Sequence, residues 1–325
     1  MAAHWLEREC DVLVIGAGAA GLRAAIAAAG QGARVAVACK SLLGKAATVL
    51  ERAVPAADEE LEGWGALPLA TRGEKVGLET LRTLQHRAVS LGIEVHMECA
   101  IQRLFASRGR VAGALGVRRA DGALVRFRAG AVVLAAGGAA RLWQRDIAAA
   151  DATGDAFALA LDAGAELADM DLETGGVRVD PATGATTVPG LHSAGDAAAG
   201  KHALLEVLLL ARRAGEHAAA YARSHPRALL SVERIERAVT ELLRPFGMEN
   251  GESPYALLLD LQDCMQNREG LAGLKQRAKR LAAAGPRAWN PAWLLALELR
   301  SLLVAAEATM SAAVQREASL ETRRA

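Results

Sequence analysis

The sequence predicts an α/β fold in which helices pack on both sides of a parallel sheet, with a small β meander and a C-terminal helical domain. Three observations carry this prediction. A βαβ pattern opens the chain, alternating apolar runs fill its middle, and helical spacing dominates from Pro226 onward. At 325 residues, the chain can bury a sizeable core in one large domain or two.

The opening βαβ pattern is the most specific of the three. A glycine turn and an alanine-rich helix separate two short apolar runs, residues 12–15 and residues 35–38. The turn is Gly16-x-Gly18-x-x-Gly21, placed after a strand and at the start of a helix. In such turns the first glycine permits the bend, the second lets backbone approach a pyrophosphate, and the third lets helix and strand pack closely. The pattern therefore predicts a Rossmann-like unit that binds a dinucleotide.

One expected feature of that unit is missing. A dinucleotide-binding unit usually carries Asp or Glu at the end of its second strand, where the carboxylate binds the ribose. Here that strand ends in Ala-Cys-Lys-Ser, residues 38–41, with no acid. Backbone groups and Ser41 could replace the acid, but its absence argues against a simple NAD-binding protein.

The middle of the chain predicts a helix and then three or four strands joined by turns. Residues 76–92 have the apolar spacing of an amphipathic helix, and residues 93–136 alternate. The last of these strands runs into Gly137-Gly138, where a ligand or another backbone can approach closely. A further helix begins near Asp155, behind Thr153 and its glycine neighbour.

A second glycine-containing turn, "LHSAGDAAAG", covers residues 191–200. We expect a short strand to deliver Asp196 to the start of a long helix. A carboxylate there can accept a hydrogen bond from a polyol hydroxyl, and a helix N-terminus stabilises negative charge. Both properties suit the ribityl chain and isoalloxazine ring of FAD. The alternative is a surface turn with an N-capping aspartate.

Composition excludes several other classes of function. The net charge is +1, so we expect no strong attraction to nucleic acid or anionic lipid. Four scattered cysteines form no CxxC pair, so neither a zinc site nor an iron–sulfur cluster is expected. No uncharged apolar run approaches the ~20 residues that cross a bilayer, so we expect no membrane insertion and a cytoplasmic protein.

Several segments, taken in order, resemble the flavoprotein subunit family of succinate dehydrogenase, fumarate reductase and L-aspartate oxidase. The N-terminal part carries "DVLVIGAGAAGLRAAIAAAG", "KSLLGKAATV", "VVLAAGGAARLW", "TGDAFALALDAGAELADMD" and "GGVRVDPATGATTVPGLHSAGD". The C-terminal part carries "ESPYALLLDLQDCMQ" and "RAWNPAWLLALELRSLLVAAEA". The resemblance implies an FAD-binding domain over residues 1–222 and a helical domain over residues 223–325.

The same resemblance implies FAD as the cofactor. It puts the first glycine turn on the ADP side, Asp196 on the ribityl chain and the pair Leu204-Leu205 under the ring. The residues expected along the cofactor are Gly16, Gly18, Ala19, Ala20, Gly21, Cys39, Lys40, Ser41, Gly44, Lys45, Ala46, Ala47, Thr48, Ala100, Ile101, Ala135, Ala136, Gly137, Gly138, Thr153, Asp155, Gly195, Asp196, Ala203, Leu204 and Leu205.

The sequence also departs from the family pattern. Members that bind flavin covalently have a histidine where this chain has Ala47, so we expect FAD to be held non-covalently. The capping domain that the family usually inserts is absent near residues 171–176, where only "LET" intervenes. The expected active-site histidine reads Thr174, or Glu173 if the register slips. An arginine-containing turn is reduced to residues 200–203.

These losses fall on the dicarboxylate site of the family. Each missing electrostatic contact of this kind costs about 2.7–4 kcal/mol of barrier, so we expect succinate–fumarate chemistry to be absent or very weak. His202 is the remaining candidate for a catalytic group near the ring.

Three hypotheses for the function remain open. The first is an FAD-dependent oxidoreductase that exchanges electrons with a small molecule, or with an iron–sulfur or other redox subunit. The second is a non-catalytic FAD-binding scaffold or subunit of a larger assembly. The third, an NAD-binding protein that uses only the first βαβ unit, is disfavoured by the missing ribose acid and the second glycine turn.

Overall fold

The computed structural model describes residues 5–50, 59–65, 75–143, 150–200 and 203–324. Its strands are β1 (Trp5–Ile15), β2 (Val35–Ala38), β3 (Glu94–His96), β4 (Cys99–Ser107), β5 (Arg110–Arg118), β6 (Leu124–Leu134), β7 (Leu167–Ala168), β8 (Gly176–Val177) and β9 (Leu191–Ser193). Its α-helices are α1 (Ala19–Gly30), α2 (Glu59–Gly63), α3 (Val76–Ser90), α4 (Asp155–Ala163), α5 (Leu204–Ser224), α6 (Val232–Leu243), α7 (Pro254–Asn267), α8 (Leu271–Arg277) and α9 (Pro291–Arg324).

Seven strands form the central sheet, in the order β3-β2-β1-β6-β5-β4, with β9 beside β6. The strands β3, β2, β1, β6 and β9 run parallel, whereas β4, β5 and β6 form an antiparallel meander. The prediction of a parallel sheet with a small meander is therefore confirmed. A single strand, β6, belongs to both parts, because its first half pairs with β5 and its second half pairs with β9.

Side chains of β1 alternate between two hydrophobic clusters, one on each face of the sheet. Val12 and Val14 point into a cluster shared with α1, α3 and α5, while Leu13 and Ile15 point into a cluster shared with α4, α7 and α9. The strand is longer than the apolar run at residues 12–15, because its first residues, which alternate between exposed and half-buried, also pair with β6.

Small residues let α1 and α5 approach closely. A Cβ atom added at Gly215 would lie 2.1 Å from the Ala24 carbonyl oxygen, so only glycine fits at that crossing. The contact keeps the first turns of the two helices on one side of the sheet. That arrangement brings the first glycine turn and the start of α5 to the same end of the sheet.

The C-terminal helices share the core of the sheet domain. Leu257 of α7 and Leu299 of α9 lie in one cluster with Leu134 of β6 and Phe157 of α4. The predicted domain boundary at residues 222–223 falls within the last turn of α5. Helix α9 therefore lies close enough to the sheet for its side chains to reach the carboxyl ends of the strands.

Candidate functional site

Two glycines of the first turn are required by packing. Gly16 has φ +113°, and an added Cβ would lie 2.1 Å from the Ala135 carbonyl oxygen at the end of β6. A Cβ at Gly21 would lie 2.0 Å from the Gly16 carbonyl oxygen. Both contacts are with backbone, which cannot move aside as a side chain can. The turn is thus packed tightly between β1, β6 and α1.

Gly18 is in a different position, facing the loop that follows β2. An added Cβ there would meet the Ala46 Cβ and the Thr48 Oγ1, each at 3.6 Å, which is ordinary contact. The Thr48 hydroxyl also accepts a hydrogen bond of 3.2 Å from the Ala19 amide, in the first turn of α1. Gly18 therefore leaves backbone exposed between the start of α1 and residues 44–48.

The end of β6 is also open. An added Cβ at Gly137, which has φ +76°, would meet nothing within 4 Å, and one at Gly138 would meet only the Asp196 carbonyl oxygen at 3.8 Å. The Gly154 amide donates a hydrogen bond of 3.0 Å to the Gly138 carbonyl. These contacts bring the paired glycines, the start of α4 and the second glycine turn together.

The first and second glycine turns lie against each other. A Cβ at Gly195 would lie 2.8 Å from the Ala20 Cβ at the start of α1, so the second turn packs on the first. Leu204 begins α5 nearby and is buried, whereas Leu205 is half-buried. Two segments that are far apart in the sequence therefore line the same end of the sheet.

Asp196 does not lie where the sequence predicted. It is in a short 3₁₀ turn, Gly195–Ala197, while α5 begins only at Leu204. The N-terminal position of α5 is Ala203, whose amide donates a hydrogen bond of 2.9 Å to Glu206 Oε2. The expectation that Asp196 opens or caps the long helix is wrong. Its side chain is exposed and makes no hydrogen bond within the described residues.

A buried ionic cluster occupies the carboxyl end of β2. Lys40 Nζ lies 2.9 Å from Asp155 Oδ2 and 3.5 Å from Glu298 Oε1, and it also donates a hydrogen bond to Thr153. Glu298 Oε2 accepts a hydrogen bond of 2.8 Å from Arg141 Nη1. Burial alone lowers the pKa of Lys40, but the carboxylates of Asp155 and Glu298 outweigh burial and raise its pKa overall.

Acidic side chains that are distant in sequence lie near the end of β2, the strand that carries no acid of its own there. Besides Asp155, Asp151 lies at this end of the strand, where it accepts a hydrogen bond of 3.2 Å from Ser41 Oγ and lies 2.9 Å from Lys45 Nζ. Burial raises the pKa of Asp151, but the charges of Lys45 and Lys40 lower it overall. Asp151 and Glu298 were not predicted; the four-residue spacing of Asp151 and Asp155 was the available signal for the former.

One buried carboxylate oxygen of this cluster has no hydrogen-bond partner among the described residues. Asp155 Oδ2 accepts hydrogen bonds from Lys40 and Thr153, but Oδ1 is buried without a partner in the described part of the chain. Buried carboxylate oxygens are normally hydrogen-bonded. A hydroxyl or amine donor from a bound dinucleotide would satisfy Oδ1, so the residues present fit a nucleotide with a ribose at this end.

Most of the remaining predicted site residues lie near this end of the sheet. The Cys99 amide donates a hydrogen bond of 2.9 Å to the Cys39 carbonyl, which holds Ala100 and Ile101 beside the end of β2. The predicted catalytic residue His202, with Lys201, lies outside the described residues. Two cavities of about 190 and 140 Å³ are lined by other residues, the first beside Met310 and the second beside Arg237. We therefore describe the candidate site by the backbone segments that meet at the end of the sheet.

Two family models match the chain in order. One is described as an FAD binding domain and matches residues 11–50 and 67–174; the other is described as the fumarate reductase flavoprotein C-terminus and matches residues 260–320. Together they cover nearly two thirds of the sequence.

Two curated proteins match a shorter segment. One chain of the fumarate reductase (CoM/CoB) of Methanothermobacter marburgensis is 35% identical over 99 residues, which is 30% of this chain and 18% of that protein. The fumarate reductase flavoprotein subunit of Escherichia coli K12 is 32% identical over 99 residues, which is 30% of this chain and 16% of that protein. The matched segment thus spans less than a fifth of either relative.

Solved structures are similar over almost the whole chain. The Mycobacterium smegmatis Sdh1 complex in its apo form has a TM-score of 0.89 at 27% identity, covering 95% of this chain and 87% of that chain. An E. coli quinol fumarate reductase has a TM-score of 0.83 at 18% identity, covering 94% and 89% of the two chains, and this likeness concerns the fold alone. Among the described helices, none combines the length and apolar character needed to cross a membrane.

Proposed function

Because the chain belongs to the flavoprotein subunit family of succinate dehydrogenase and fumarate reductase, we propose that it is a redox protein that holds FAD non-covalently and turns over dicarboxylates weakly or not at all. Members of the family are FAD-dependent oxidoreductases, and FAD is the cofactor that the matching domain binds. The finer parts of the proposal concern how this chain holds FAD and what it can no longer do.

The observation that carries the proposal is the contact between the two glycine turns. Gly195 packs on Ala20, and Gly138 lies against the backbone of Asp196, so groups from both turns lie at the same end of the sheet. We infer that FAD would bind in a groove between them. NAD-binding by the first βαβ unit alone would not need the second turn. A cofactor with a nucleotide at one end and a flavin at the other uses both, which favours FAD over NAD.

The chain's residues divide the proposed work of holding FAD. Backbone amides at the start of α1, beside Gly18, would hold the pyrophosphate. Asp155 Oδ1 would accept a hydrogen bond from the adenosine ribose, and Asp196 would accept one from the ribityl chain. Leu204, at the buried start of α5, would pack against the ring. When bound, the flavin supplies hydride and electron transfer, which the side chains alone cannot perform.

Ala47 supports a non-covalent mode of binding. A histidyl–flavin bond needs an imidazole nitrogen, and a methyl side chain cannot form it. Ala47 begins the short 3₁₀ segment Ala47–Leu50, and its two neighbours in the chain, Ala46 and Thr48, face Gly18. The cofactor would therefore be held by hydrogen bonds and packing, and acid denaturation should release it.

A closed turn between β7 and β8 supports the loss of dicarboxylate turnover. The Leu172 amide donates to the Asp169 carbonyl at 2.9 Å, the Gly175 amide donates to the Leu172 carbonyl at 3.0 Å, and a Cβ at Gly175 would lie 2.4 Å from the Asp169 carbonyl oxygen. The chain closes here on itself, at the point where the family usually inserts its cap. Without a cap, the residues present would neither exclude water from the ring nor supply the cationic clamp.

The proposed partners are electron donors or acceptors. Its four cysteines are buried and unpaired, and the described residues contain no cluster of side chains that could hold a metal ion. The chain would then exchange electrons with a small molecule or a separate redox subunit. The matched segment of each curated relative belongs to a much longer protein, which leaves room for a larger assembly. The catalytic role predicted for His202 stays a prediction, since this residue lies outside the described part of the chain.

The proposal is tested by loading the purified protein with FAD and following the visible spectrum through a redox cycle. We expect dithionite to bleach the flavin, air to restore it, and fumarate to leave the reduced flavin unchanged over the same period. Free FAD without protein, and a Gly18→Ala variant in which we expect weaker FAD binding, serve as controls. Rapid reoxidation by fumarate would contradict the loss of turnover, and a bound flavin that dithionite cannot reduce would favour a scaffold.

A further inference from the structure

Helix α9 delivers one acidic side chain to the candidate site. Glu298 lies 3.5 Å through Oε1 from Lys40 Nζ and 2.8 Å through Oε2 from Arg141 Nη1, and its side chain is only 16% exposed. One carboxylate from the C-terminal helices therefore bridges two cations of the sheet domain. Nothing in the glycine motifs or the spacing around β2 indicates this contact.

The two cations occupy different elements. Lys40 lies two residues after the end of β2, and Arg141 lies in the short 3₁₀ turn Ala140–Leu142 after the paired glycines. Glu298 ties these two segments together from one side, while Asp155 contacts Lys40 from the other. Lys40 is consequently shared between two carboxylates and a threonine hydroxyl, with its side chain 13% exposed.

The arrangement leaves one oxygen of Asp155 free. Lys40 and Thr153 both donate to Oδ2, and Oδ1 has no partner among the described residues. In dinucleotide-binding βαβ units, the ribose lies at the carboxyl end of the second strand. The free oxygen is therefore at the end of the groove where the adenosine half of FAD belongs.

We propose that Glu298 is a positioning residue for the adenosine half of FAD, acting through Lys40 to keep Asp155 Oδ1 available to the cofactor. The inference rests on the proposed function, since it assumes that FAD occupies the groove. If Glu298 is neutralised, Asp155 becomes the only carboxylate partner of the Lys40 ammonium. The ammonium then moves toward both Asp155 oxygens and occupies the acceptor that the ribose needs.

The energetics of the cluster agree with a role in binding. Buried ion pairs contribute little to net stability, because desolvation offsets their attraction. Burial raises the pKa of Glu298 above its usual range, while the charges of Lys40 and Arg141 oppose that shift. The placement of the carboxylate between Lys40 Nζ and Arg141 Nη1 is therefore what bears on binding.

The test compares Glu298→Gln with Glu307→Gln, a matched control on the same helix. Glu307 pairs with Lys275 at the surface, and its side chain is 52% exposed. Dissociation constants are measured for FAD by flavin fluorescence and for ADP by competition, and the melting temperature of each FAD-free protein is recorded. ADP isolates the adenosine half of the cofactor.

We expect Glu298→Gln to weaken FAD and ADP about tenfold each, corresponding to one hydrogen bond to a charged group, while Glu307→Gln changes neither. In the Lys40→Met background, Glu298→Gln should no longer change the affinity for FAD or ADP, because no ammonium is left to move onto Asp155. The double variant removes the Lys40 ammonium together with the Glu298 carboxylate, and its comparison with Lys40→Met alone remains informative if Glu298→Gln alone fails to fold.

Two results would overturn the inference. Unchanged FAD and ADP affinity in Glu298→Gln would show that the charge is not needed for the site. A loss of FAD affinity that persists at the same size in the Lys40→Met background would show that Glu298 does not act through Lys40. Failure of the wild-type protein to bind FAD would instead overturn the proposed function itself.

Discussion

Replacing Gly18 with alanine should separate cofactor binding from folding. The backbone of Gly18 has φ −76° and ψ −174°, a conformation that any residue adopts. The added methyl group would meet the Ala46 Cβ and the Thr48 Oγ1 at 3.6 Å, without overlap. In the proposed mode of binding, however, it would lie on the half-buried backbone that the FAD pyrophosphate approaches.

The two effects have different sizes. Because the methyl group fits without strain, the free energy of unfolding of the FAD-free protein should change by no more than about 0.5 kcal/mol. Each hydrogen bond lost between a backbone amide and the charged pyrophosphate weakens binding by about 1.5–3 kcal/mol. FAD affinity should therefore fall by at least about tenfold for each lost bond.

Two other glycines of α1 provide the controls. A Cβ at Gly30, at the end of the helix, would meet nothing within 4 Å, so Gly30→Ala should leave both folding and FAD binding intact. A Cβ at Gly21 would lie 2.0 Å from the Gly16 carbonyl oxygen, so Gly21→Ala should destabilise the fold by about 1–3 kcal/mol or more. The three variants thus differ only in where one methyl group points.

The assay is a pair of measurements on each variant. Urea unfolding of the FAD-free protein, followed by circular dichroism, gives the free energy of unfolding, and quenching of flavin fluorescence gives the FAD dissociation constant. Wild-type FAD affinity in Gly18→Ala would refute the assignment of this turn to the pyrophosphate. Equal destabilisation of Gly18→Ala and Gly21→Ala would refute the description of Gly21 as tightly packed against backbone and Gly18 as free of such contact.

Further predictions concern folding and pH. Trp293→Phe removes the hydrogen bond of 2.8 Å that the fully buried indole donates to the Leu242 carbonyl, so it should lower the free energy of unfolding by about 1–3 kcal/mol without changing FAD affinity. Burial, with a smaller effect from His217, lowers the pKa of His192 from 6.5 to about 4. The unfolded chain therefore binds a proton that the folded protein excludes, and stability should fall between pH 6.5 and pH 4 by on the order of 3 kcal/mol. Denaturant titrations across this range should show that the free energy of unfolding depends less on pH in His192→Gln than in the wild type. An identical pH dependence would contradict the assignment of this loss of stability to His192. Asp196→Ala should weaken FAD but not ADP, measured by the same competition assay; equal weakening of both would move Asp196 away from the ribityl chain.

The parallel sheet and its glycine turn could be predicted because local sequence encodes them. Gly16 and Gly21 pack against neighbouring backbone, and the apolar run at residues 35–38 is buried as β2 on both faces. The length of β1 was underestimated, because its first residues are stabilised by pairing with β6, a strand more than a hundred positions later. The apolar periodicity of one strand does not indicate which distant strand will pair with it.

The ionic part of the site was harder to predict for the same reason. Asp151 and Asp155, which are more than a hundred positions from β2 in the sequence, pair with Lys45 and Lys40 near the end of that strand. Glu298 comes from the opposite end of the chain. Asp196 was assigned to the start of a helix because a glycine, an acid and a helical run follow one another, but an intervening segment delays α5 to Leu204.

The number of FAD molecules bound per chain tests the central claim most directly. Titration of the purified protein with FAD, followed by acid precipitation and the visible spectrum of the supernatant, measures both stoichiometry and the type of bond. We predict about one FAD per chain, all of it released into the supernatant. A protein that stays colourless at saturating FAD would contradict the groove between the two glycine turns, and flavin retained in the precipitate would contradict non-covalent binding.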